Sequence, residues 1–201
     1  MSERAALTAI VLAAGCSTRM QTHNKLLLPW GEKRMLQVVV DTLLTVLFEK
    51  VVVVVGHQHL EVEELLRGYA LSTVLNEQYA EGMSTSIRKG VEAVEDPGSG
   101  YLLALGDMPW IKQDTVERLC MTFSPRDPSA ITVPTLGGRR GHPVIFGKSY
   151  RGELLQLEGD RGAASLLQQH AGMVVEVPVD DSGILKDVDT PGAYRPGGIA
   201  R

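Results

Sequence analysis

The chain has 201 residues and a formal net charge of −4, with 20 lysines and arginines against 24 aspartates and glutamates. Apolar residues make up 44% of the composition, which is typical of a globular protein and excludes a disordered, collagen-like or coiled-coil chain. The acidic balance disfavours broad electrostatic binding to nucleic acid, and no apolar run reaches the roughly 20 residues that cross a bilayer. We therefore expect a protein that binds neither nucleic acid nor a membrane.

The N-terminal segment and the cysteines bear on the cellular compartment. A short apolar stretch near the N-terminus runs directly into a polar glycine turn, so it is predicted to be a strand and not a signal peptide. Cys16 and Cys120 form no CxxC pattern and have no paired histidine spacing. This predicts a reducing compartment without structural disulfides or zinc, and we expect a cytoplasmic protein.

Predicted strands and helices alternate along the chain. The apolar runs at 9–12 and 51–55 are typical of strands buried on both faces of a parallel sheet, and apolar residues at helical spacing predict a helix at 35–48 between them. The alternation continues with helices at 60–69, 84–94 and 115–123 and strands at 72–75, 101–105 and 130–134. The last third contains a predicted strand at 143–146, a helix at 162–170, and strands at 174–177 and 184–188.

This alternation predicts the architecture of the chain. We expect an α/β fold in which a single domain at 1–195 forms a three-layer α/β/α sandwich around a mostly parallel central sheet. A tail at 196–201, which contains two glycines, is expected to be frayed. Because ligands of such sheets bind beyond the carboxyl ends of the strands, functional residues are expected in the loops that follow the strands.

The loop after the first strand has the composition of a phosphate-binding turn. It reads Ala13-Ala14-Gly15-Cys16-Ser17-Thr18-Arg19-Met20 and is followed by Lys25. Small residues let backbone N–H groups approach a phosphate chain, which Arg19 and Lys25 can neutralise. The segment matches neither the P-loop nor the GxGxxG pattern, so P-loop hydrolysis and dinucleotide binding are not predicted. An ordinary polar loop is the alternative.

Carboxylates follow two other predicted strands. Asp107, in Gly106-Asp107-Met108-Pro109, is suited to Mg²⁺, which takes one or two carboxylates together with substrate phosphates. The alternative is that Asp107 caps the next helix. Asp189, before Thr190-Pro191, is first a candidate N-cap for a helix that starts at Pro191 and second a metal ligand. We expect only one of Asp187 and Asp189 to face the site.

Two glycine-rich segments are candidates for a second anion site. One is the basic loop 137–143 with Arg139 and Arg140, and the other is Gly159-Asp160-Arg161-Gly162, which is predicted to open a helix. A solvated surface loop is the alternative for both and the favoured one for the arginine pair. His57 and His59 are not predicted to bind zinc, and no histidine is placed by sequence to activate Cys16 as a nucleophile.

Six segments, in this order, resemble the molybdenum cofactor cytidylyltransferases, a branch of the nucleotidyltransferases with a Rossmann-like fold. They are Ala13-Ala14-Gly15-x-Ser17-x-Arg19-Met20 with Lys25 and Leu28-Pro29-Trp30, Asn76-x-x-Tyr79-Ala80-x-Gly82-Met83-x-Thr85-Ser86, Gly106-Asp107-Met108-Pro109, Gly141-His142-Pro143, Gly159-Asp160-x-Gly162 and Asp187-x-Asp189-Thr190-Pro191. The Ala-Ala-Gly start and the Leu-Pro-Trp segment are similar to the CTP-using members. The chain departs from the pattern at Gln21, which stands in a glycine position, and by one extra residue before Lys25.

The resemblance implies a Mg²⁺-dependent transfer of CMP from CTP to the terminal phosphate of molybdopterin, with release of pyrophosphate. The residues implied are Lys25, Arg19 and Asp107 for catalysis, Leu12, Ala13, Ala14, Gly15, Ser17, Arg19, Lys25 and Gly106 for the nucleotide, Asp107 and Asp189 for the metal, and Ser84, Thr85, Ser86, Arg140, Gly141, His142 and Pro143 for the acceptor. A molybdenum hydroxylase apoenzyme is an expected partner. Alternatives are a guanylyltransferase for the same cofactor, a nucleotidyltransferase for a sugar or alcohol phosphate, and a non-catalytic carrier of the cofactor.

Overall fold

A computed structural model of the chain describes residues 6–16, 24–160, 162–189 and 194. Within these residues, the central sheet has eight strands. They are β1 (Leu7–Ala13), β4 (Lys50–Val55), β5 (Ser72–Leu75), β6 (Gly100–Leu105), β7 (Ile131–Leu136), β8 (Arg139–Arg140), β9 (Val144–Gly147) and β10 (Val174–Pro178), while β2 (Pro29–Trp30) and β3 (Lys33–Arg34) form a separate hairpin.

The strand order is β10-β7-β9-β6-β1-β4-β5, with β8 paired to β7. Strand β1 pairs in parallel with both β4 and β6, and β10 pairs in parallel with β7. Strand β9 runs antiparallel to its neighbours β6 and β7, and β8 runs antiparallel to β7. The prediction of a mostly parallel central sheet is therefore confirmed.

Helices cover both faces of this sheet. The described helices are α1 (Met35–Leu44), α2 (His59–Leu65), α3 (Met83–Glu92), α4 (Gln113–Thr122), α5 (Arg151–Leu155) and α6 (Ala164–Gln169). Leu7, Ala9, Val11 and Ala13 of β1 pack with buried residues of α1, α2 and α4, whereas Ile10 packs with those of α3, α5 and α6. Successive side chains of a strand point to opposite faces, so β1 is buried between two helical layers. This arrangement confirms the predicted three-layer sandwich.

Apolar burial explains why β4 lies inside the sheet, between β1 and β5. Val51, Val52, Val53, Val54 and Val55 are all buried, as expected for a strand covered on both faces. Each buried valine side chain contributes roughly 1.5–3 kcal/mol relative to exposure. None of the helices in the described ranges combines the length and the hydrophobicity of a membrane span.

The predicted strand at 184–188 is wrong. The chain forms a 3-10 turn at Ser182–Leu185 and continues without pairing to the sheet. The carboxylate of Asp181 accounts for the turn, because it accepts hydrogen bonds from the backbone N–H groups of Gly183 and Lys112 and from the hydroxyl of Thr115. These bonds attach the segment to the start of α4. The helix expected from Pro191 and the tail at 196–201 lie outside the described residues.

Candidate active site

A cleft of about 560 Å³ opens at the carboxyl ends of β1 and β6. Its size is within the usual range for small-molecule sites. Its lining residues are Leu12, Ala13, Ala14, Gly15, Cys16, Lys25, Leu26, Tyr79, Ala80, Glu81, Gly82, Met83, Ser86, Leu105, Asp107, Asp160, Asp187 and Asp189. The structure thus brings together the end of β1, the predicted catalytic pair Lys25 and Asp107, and the predicted metal ligand Asp189. Ser17 and Arg19 lie outside the described residues.

Lys25 is placed by a short 3-10 turn, Lys25–Leu27. Asn24 caps this turn, since its Oδ1 accepts a hydrogen bond from the backbone of Leu26 and its Nδ2 donates to the carbonyl of His57. The Nζ of Lys25 lies 2.5 Å from Oδ2 of Asp107 and 2.6 Å from Oδ1 of Asp189. Burial alone would lower the pKa of Lys25, but the charges and hydrogen bonds of the two carboxylates raise it. Lys25 is therefore an ammonium ion in the cleft.

Asp107 stands at the turn that follows β6. The N–H of Gly106 donates to the carbonyl of Leu12, and the carbonyl of Asp107 accepts from the N–H of Val188, so the turn is held between β1 and the later segment. The Oδ1 atom of Asp107 is buried and has no hydrogen-bond partner among the described residues. A buried acceptor without a partner is costly, and a bound cation would satisfy it.

Both Asp187 and Asp189 line the cleft, so the expectation that only one of them faces the site is wrong. Residues two apart in an extended segment point to the same side. Val188, between them, points away and packs against Trp30 and Met35. Burial raises the pKa of Asp187, and the negative charges of Asp189 and Asp107 raise it further.

These carboxylates fit a hard divalent cation. Mg²⁺ usually takes one or two carboxylates and completes its shell with substrate phosphates and water, which matches Asp107 and Asp189 beside the small-residue turn that ends β1. No cluster of three or more His, Cys, Asp or Glu side chains arranged to hold a metal occurs in the described ranges. Substrate phosphates and water would complete a coordination shell to which Asp107 and Asp189 contribute.

Asp160 closes the opposite wall of the cleft. Its Oδ1 accepts a hydrogen bond from the N–H of Met83, and the carbonyl of Gly159 accepts one from the N–H of Ser84. Gly82 has a φ of 115°, and a Cβ there would lie 2.7 Å from the carbonyl oxygen of Gly159. The glycine thus permits the close approach that lets the 159–160 segment cap α3. This segment does not open its own helix as predicted, since α6 begins only at Ala164.

The predicted acceptor residues of α3 are divided between two environments. Ser86 lines the cleft, and its hydroxyl accepts a hydrogen bond from Nδ2 of Asn76. The hydroxyl of Ser84 donates to the carbonyl of Glu158, and that of Thr85 lies within hydrogen-bond distance of the carbonyls of Gln78 and Gly82. Of the three hydroxyl groups, only that of Ser86 is on a residue that lines the cleft, whereas the other two stabilise the start of the helix.

In the second group of predicted acceptor residues, Gly141 and His142 support the segment that carries Asp187 and Asp189, whereas Arg140 contacts β10. Arg140 forms an ion pair with Glu176 at 2.8 Å. The N–H of His142 donates to the carbonyl of Ile184, and a Cβ on Gly141 would collide with that same carbonyl oxygen. Burial lowers the pKa of His142 against the opposing charge of Asp107, so its imidazole is neutral at pH 7. The cleft lining contains none of the residues 140–143.

Sequence reasoning missed Glu81, Tyr79 and Met83 as residues of the cleft wall, whereas Asp160 belongs to a segment that was predicted as a candidate anion site. Tyr79 and Met83 belong to a segment that was identified only through the family resemblance. The spacing of two between Asp187 and Asp189 did contain the information that both side chains point to one side.

Replacement of Gly141 by Ala tests whether the close contact of Gly141 with Ile184 supports the segment that carries Asp187 and Asp189. The added methyl group has no space beside Ile184, so we expect a loss of about 1–3 kcal/mol in the free energy of unfolding, as for other overpacked sites. Displacement of the 184–189 segment should also lower kcat. Urea unfolding and steady-state kinetics measure the two effects. Gly152→Ala is the matched control, because a Cβ at Gly152 meets no atom within 4 Å. Wild-type stability of Gly141→Ala would contradict the role assigned to this contact.

Comparisons with known proteins agree with this geometry. Residues 9–174 match the family described as the MobA-like NTP transferase domain. The chain is 29% identical over 189 residues to nicotine blue oxidoreductase of Paenarthrobacter nicotinovorans and also 29% identical over 189 residues to molybdenum cofactor cytidylyltransferase of Escherichia coli strain K12, with 92% of each protein covered. None of these similarities supports the expected molybdenum hydroxylase partner.

Solved structures show the same fold. The homologue of Mycobacterium tuberculosis Rv0371c from Mycobacterium sp. strain JC1 has a TM-score of 0.83 at 30% identity, covering 96% of this chain and 94% of that one. The complex of M. tuberculosis Rv0371c with manganese has a TM-score of 0.79 at 29% identity, covering 94% and 95%. The family match spans most of the chain, and the cleft lies where parallel sheets bind ligands. The chain therefore belongs to the family of MobA-like NTP transferase domains and is a nucleotidyltransferase.

Proposed function

We propose that this cleft transfers CMP from CTP to the terminal phosphate of molybdopterin, with Mg²⁺ as the divalent cation and pyrophosphate as the second product. The observation that carries the proposal is the arrangement of Lys25 with Asp107 and Asp189 beside the small-residue turn that ends β1. An ammonium group and a cation-binding carboxylate pair at one end of a cleft provide what a triphosphate requires.

The nucleotide would lie across the end of β1. Its base would rest against Ala13 and Ala14, and its phosphates would be neutralised by Lys25, with Arg19 as the second cation. Asp107 and Asp189 would hold Mg²⁺, which when bound neutralises phosphate charge and polarises the reacting phosphoryl group. Gly106 would contribute through its backbone N–H, which donates a hydrogen bond to the carbonyl of Leu12 and so joins the turn after β6 to β1.

The acceptor needs little chemical activation. A phosphate monoester has a second pKa near 6, so it is mostly a dianion at neutral pH and can attack without a general base. Its oxygen forms the new bond to the α-phosphorus of CTP, and the bond to the pyrophosphate oxygen breaks. The role of Lys25 is to stabilise the negative charge on the phosphates during this exchange, and positioning supplies the rest of the rate enhancement.

The acceptor-binding residues proposed for molybdopterin fall into two roles. Ser86 lies on the cleft wall and can contact a ligand directly. Ser84, Thr85, Gly141 and His142 would act by holding the walls in place. Arg140 and Pro143 are proposed from the family resemblance alone. Because the imidazole of His142 is neutral, it adds no positive charge for an acceptor phosphate.

The choice of CTP and molybdopterin as substrates is based on the segments that are similar to CTP-using cytidylyltransferases and on the name of the E. coli relative. Magnesium is consistent with the manganese in the M. tuberculosis relative, since both are divalent ions that accept carboxylate ligands. The equal identity to an oxidoreductase means that identity alone does not select the reaction. Release of pyrophosphate distinguishes the two reactions, because a nucleotidyltransferase forms pyrophosphate and an oxidoreductase does not.

The experiment is an assay of pyrophosphate release with Mg²⁺ and molybdenum-loaded molybdopterin, run in parallel with CTP, GTP, ATP and UTP. We expect release with CTP and much slower release with the other three. Selective release with GTP would replace the proposal with a guanylyltransferase. Release that requires a sugar or alcohol phosphate in place of molybdopterin would correct the acceptor. Binding of molybdopterin without release from any nucleotide would identify a carrier.

A further inference from the structure

Lys25 forms ion pairs with Asp107 and Asp189, the two carboxylates that are proposed to bind the divalent cation. Its Nζ lies 2.5 Å from Oδ2 of Asp107 and 2.6 Å from Oδ1 of Asp189. Magnesium coordinated by the same oxygens would stand about 2.0–2.1 Å from each of them. The ammonium and the metal ion cannot both keep these contacts, because two cations would then lie side by side and repel each other.

We propose that Lys25 is an internal counter-ion that holds the metal site until a nucleotide arrives. The inference rests on the proposed function, because it requires a triphosphate and a divalent cation in this cleft. The triphosphate attracts the ammonium group away from Asp107 and Asp189, and the metal then binds to the released carboxylates. Each ligand thus removes an obstacle to the other, which makes their binding cooperative and reciprocal.

The environment of Asp107 favours an exchange in which a metal ion replaces Lys25 as the partner of this carboxylate. It argues against a permanent ion pair between Lys25 and Asp107. Lys25 contacts Oδ2 of Asp107, yet Oδ1 of the same carboxylate is buried and has no hydrogen-bond partner in the described ranges of the chain. An ammonium group bound to one oxygen therefore leaves the carboxylate incompletely satisfied. A metal ion with several coordination positions, or its bound water, can satisfy both oxygens.

The structure around Lys25 allows its side chain to move while its backbone stays in place. The backbone is held in the 3-10 turn by the two hydrogen bonds of Asn24. The four-carbon side chain of lysine is flexible, and its end group has three donors that can be shared with phosphate oxygens. Of the two carboxylates that Lys25 contacts, Asp189 is the more exposed, since 37% of its side chain is accessible to solvent against 17% for Asp107. Lys25 can therefore turn toward a ligand without unfolding the loop.

The first test measures Mn²⁺ binding by electron paramagnetic resonance without nucleotide. Removal of the counter-ion in Lys25→Met should tighten Mn²⁺ binding about tenfold, within the range usual for coupled sites. Lys25→Arg keeps a cation on the carboxylates and should bind Mn²⁺ as weakly as the wild-type protein. Lys33→Met, which removes an exposed lysine paired with Asp41, is the distant control. Mn²⁺ binding to Lys25→Met that is equal to or weaker than wild type would overturn the proposal.

The reciprocal test measures CTP binding by titration calorimetry in the presence of a chelator. Asp189→Asn removes one partner of Lys25 and should tighten metal-free CTP binding about tenfold, because the ammonium becomes available to the phosphates. Asp160→Asn is the matched control, since it removes a carboxylate from the same cleft and keeps the oxygen that caps α3. An equal gain in both variants would show a general charge effect and overturn the counter-ion role.

The wild-type protein separates this inference from the proposed function. One outcome is that Mn²⁺ binds to the wild-type protein with CTP present, but without CTP binds to Lys25→Met no more tightly than to wild type. This result would overturn the counter-ion role of Lys25 and leave the proposed function standing. Failure of the folded wild-type protein to bind Mn²⁺ even with saturating CTP would overturn both, because the cleft would then not be a site for a metal and a nucleotide.

Discussion

Asp107→Asn is expected to lower kcat by about 10²–10³-fold, the loss typical of removing one group that stabilises transition-state charge. Asparagine has the shape of aspartate but no charge, so it is a poor ligand for a hard divalent cation and a poor partner for Lys25. The fold should be unchanged, because the backbone contacts of this turn do not involve the side chain. Steady-state pyrophosphate release and thermal unfolding measure activity and fold.

Asp41→Asn is the matched control for this variant. Asp41 lies on α1 and pairs with Lys33, away from the cleft, so its replacement should leave kcat within a factor of about two, as for surface pairs of little energetic effect. Turnover of Asp107→Asn within a few fold of wild type, in folded protein, would contradict the metal role of Asp107.

Lys25→Ala should raise the KM for CTP and lower kcat, together reducing kcat/KM by about 10²–10³-fold. The variant removes a positive charge that lies beside both carboxylates and next to the proposed phosphate position. The same change that tightens Mn²⁺ binding without nucleotide is therefore expected to slow the reaction. Kinetics over a range of CTP concentrations separate the effect on KM from that on kcat.

Lys33→Ala removes an exposed lysine of the β3 strand and should leave both constants unchanged. Unchanged kinetics in Lys25→Ala would contradict its role and leave Arg19 as the cation that acts on the phosphates. A loss of kcat that Lys25→Arg restores in part would indicate that a positive charge at this place is sufficient.

The fold could be predicted because its signals are local. Runs of buried aliphatic residues such as 51–55 specify strands covered on both faces, and apolar residues at helical spacing specify the helices between them. The position of Lys25 and Asp107 followed from the same pattern, since the carboxyl ends of parallel strands meet at one edge of the sheet. These conclusions need no knowledge of distant contacts.

The errors arose where distant contacts decide the structure. The apolar residues at 184–188 suggested a strand, but Asp181 attaches this segment to α4 through Lys112 and Thr115, far away in sequence. Gly141 and His142 remain proposed residues of the acceptor site, and the structure adds that they pack against Ile184. A local pattern cannot reveal which backbone a glycine must accommodate, so this supporting contact could not be predicted from the sequence.

The most direct test of nucleotidyl transfer follows two labels of CTP in the presence of molybdopterin. The proposed reaction breaks the bond between the α- and β-phosphates, so label at the α-position should appear in the pterin product and label at the γ-position in pyrophosphate. Both transfers should be lost together in Asp107→Asn. Transfer of the γ-label to the acceptor, or release of inorganic phosphate in place of pyrophosphate, would contradict the account, because either result places the reaction at a different phosphorus.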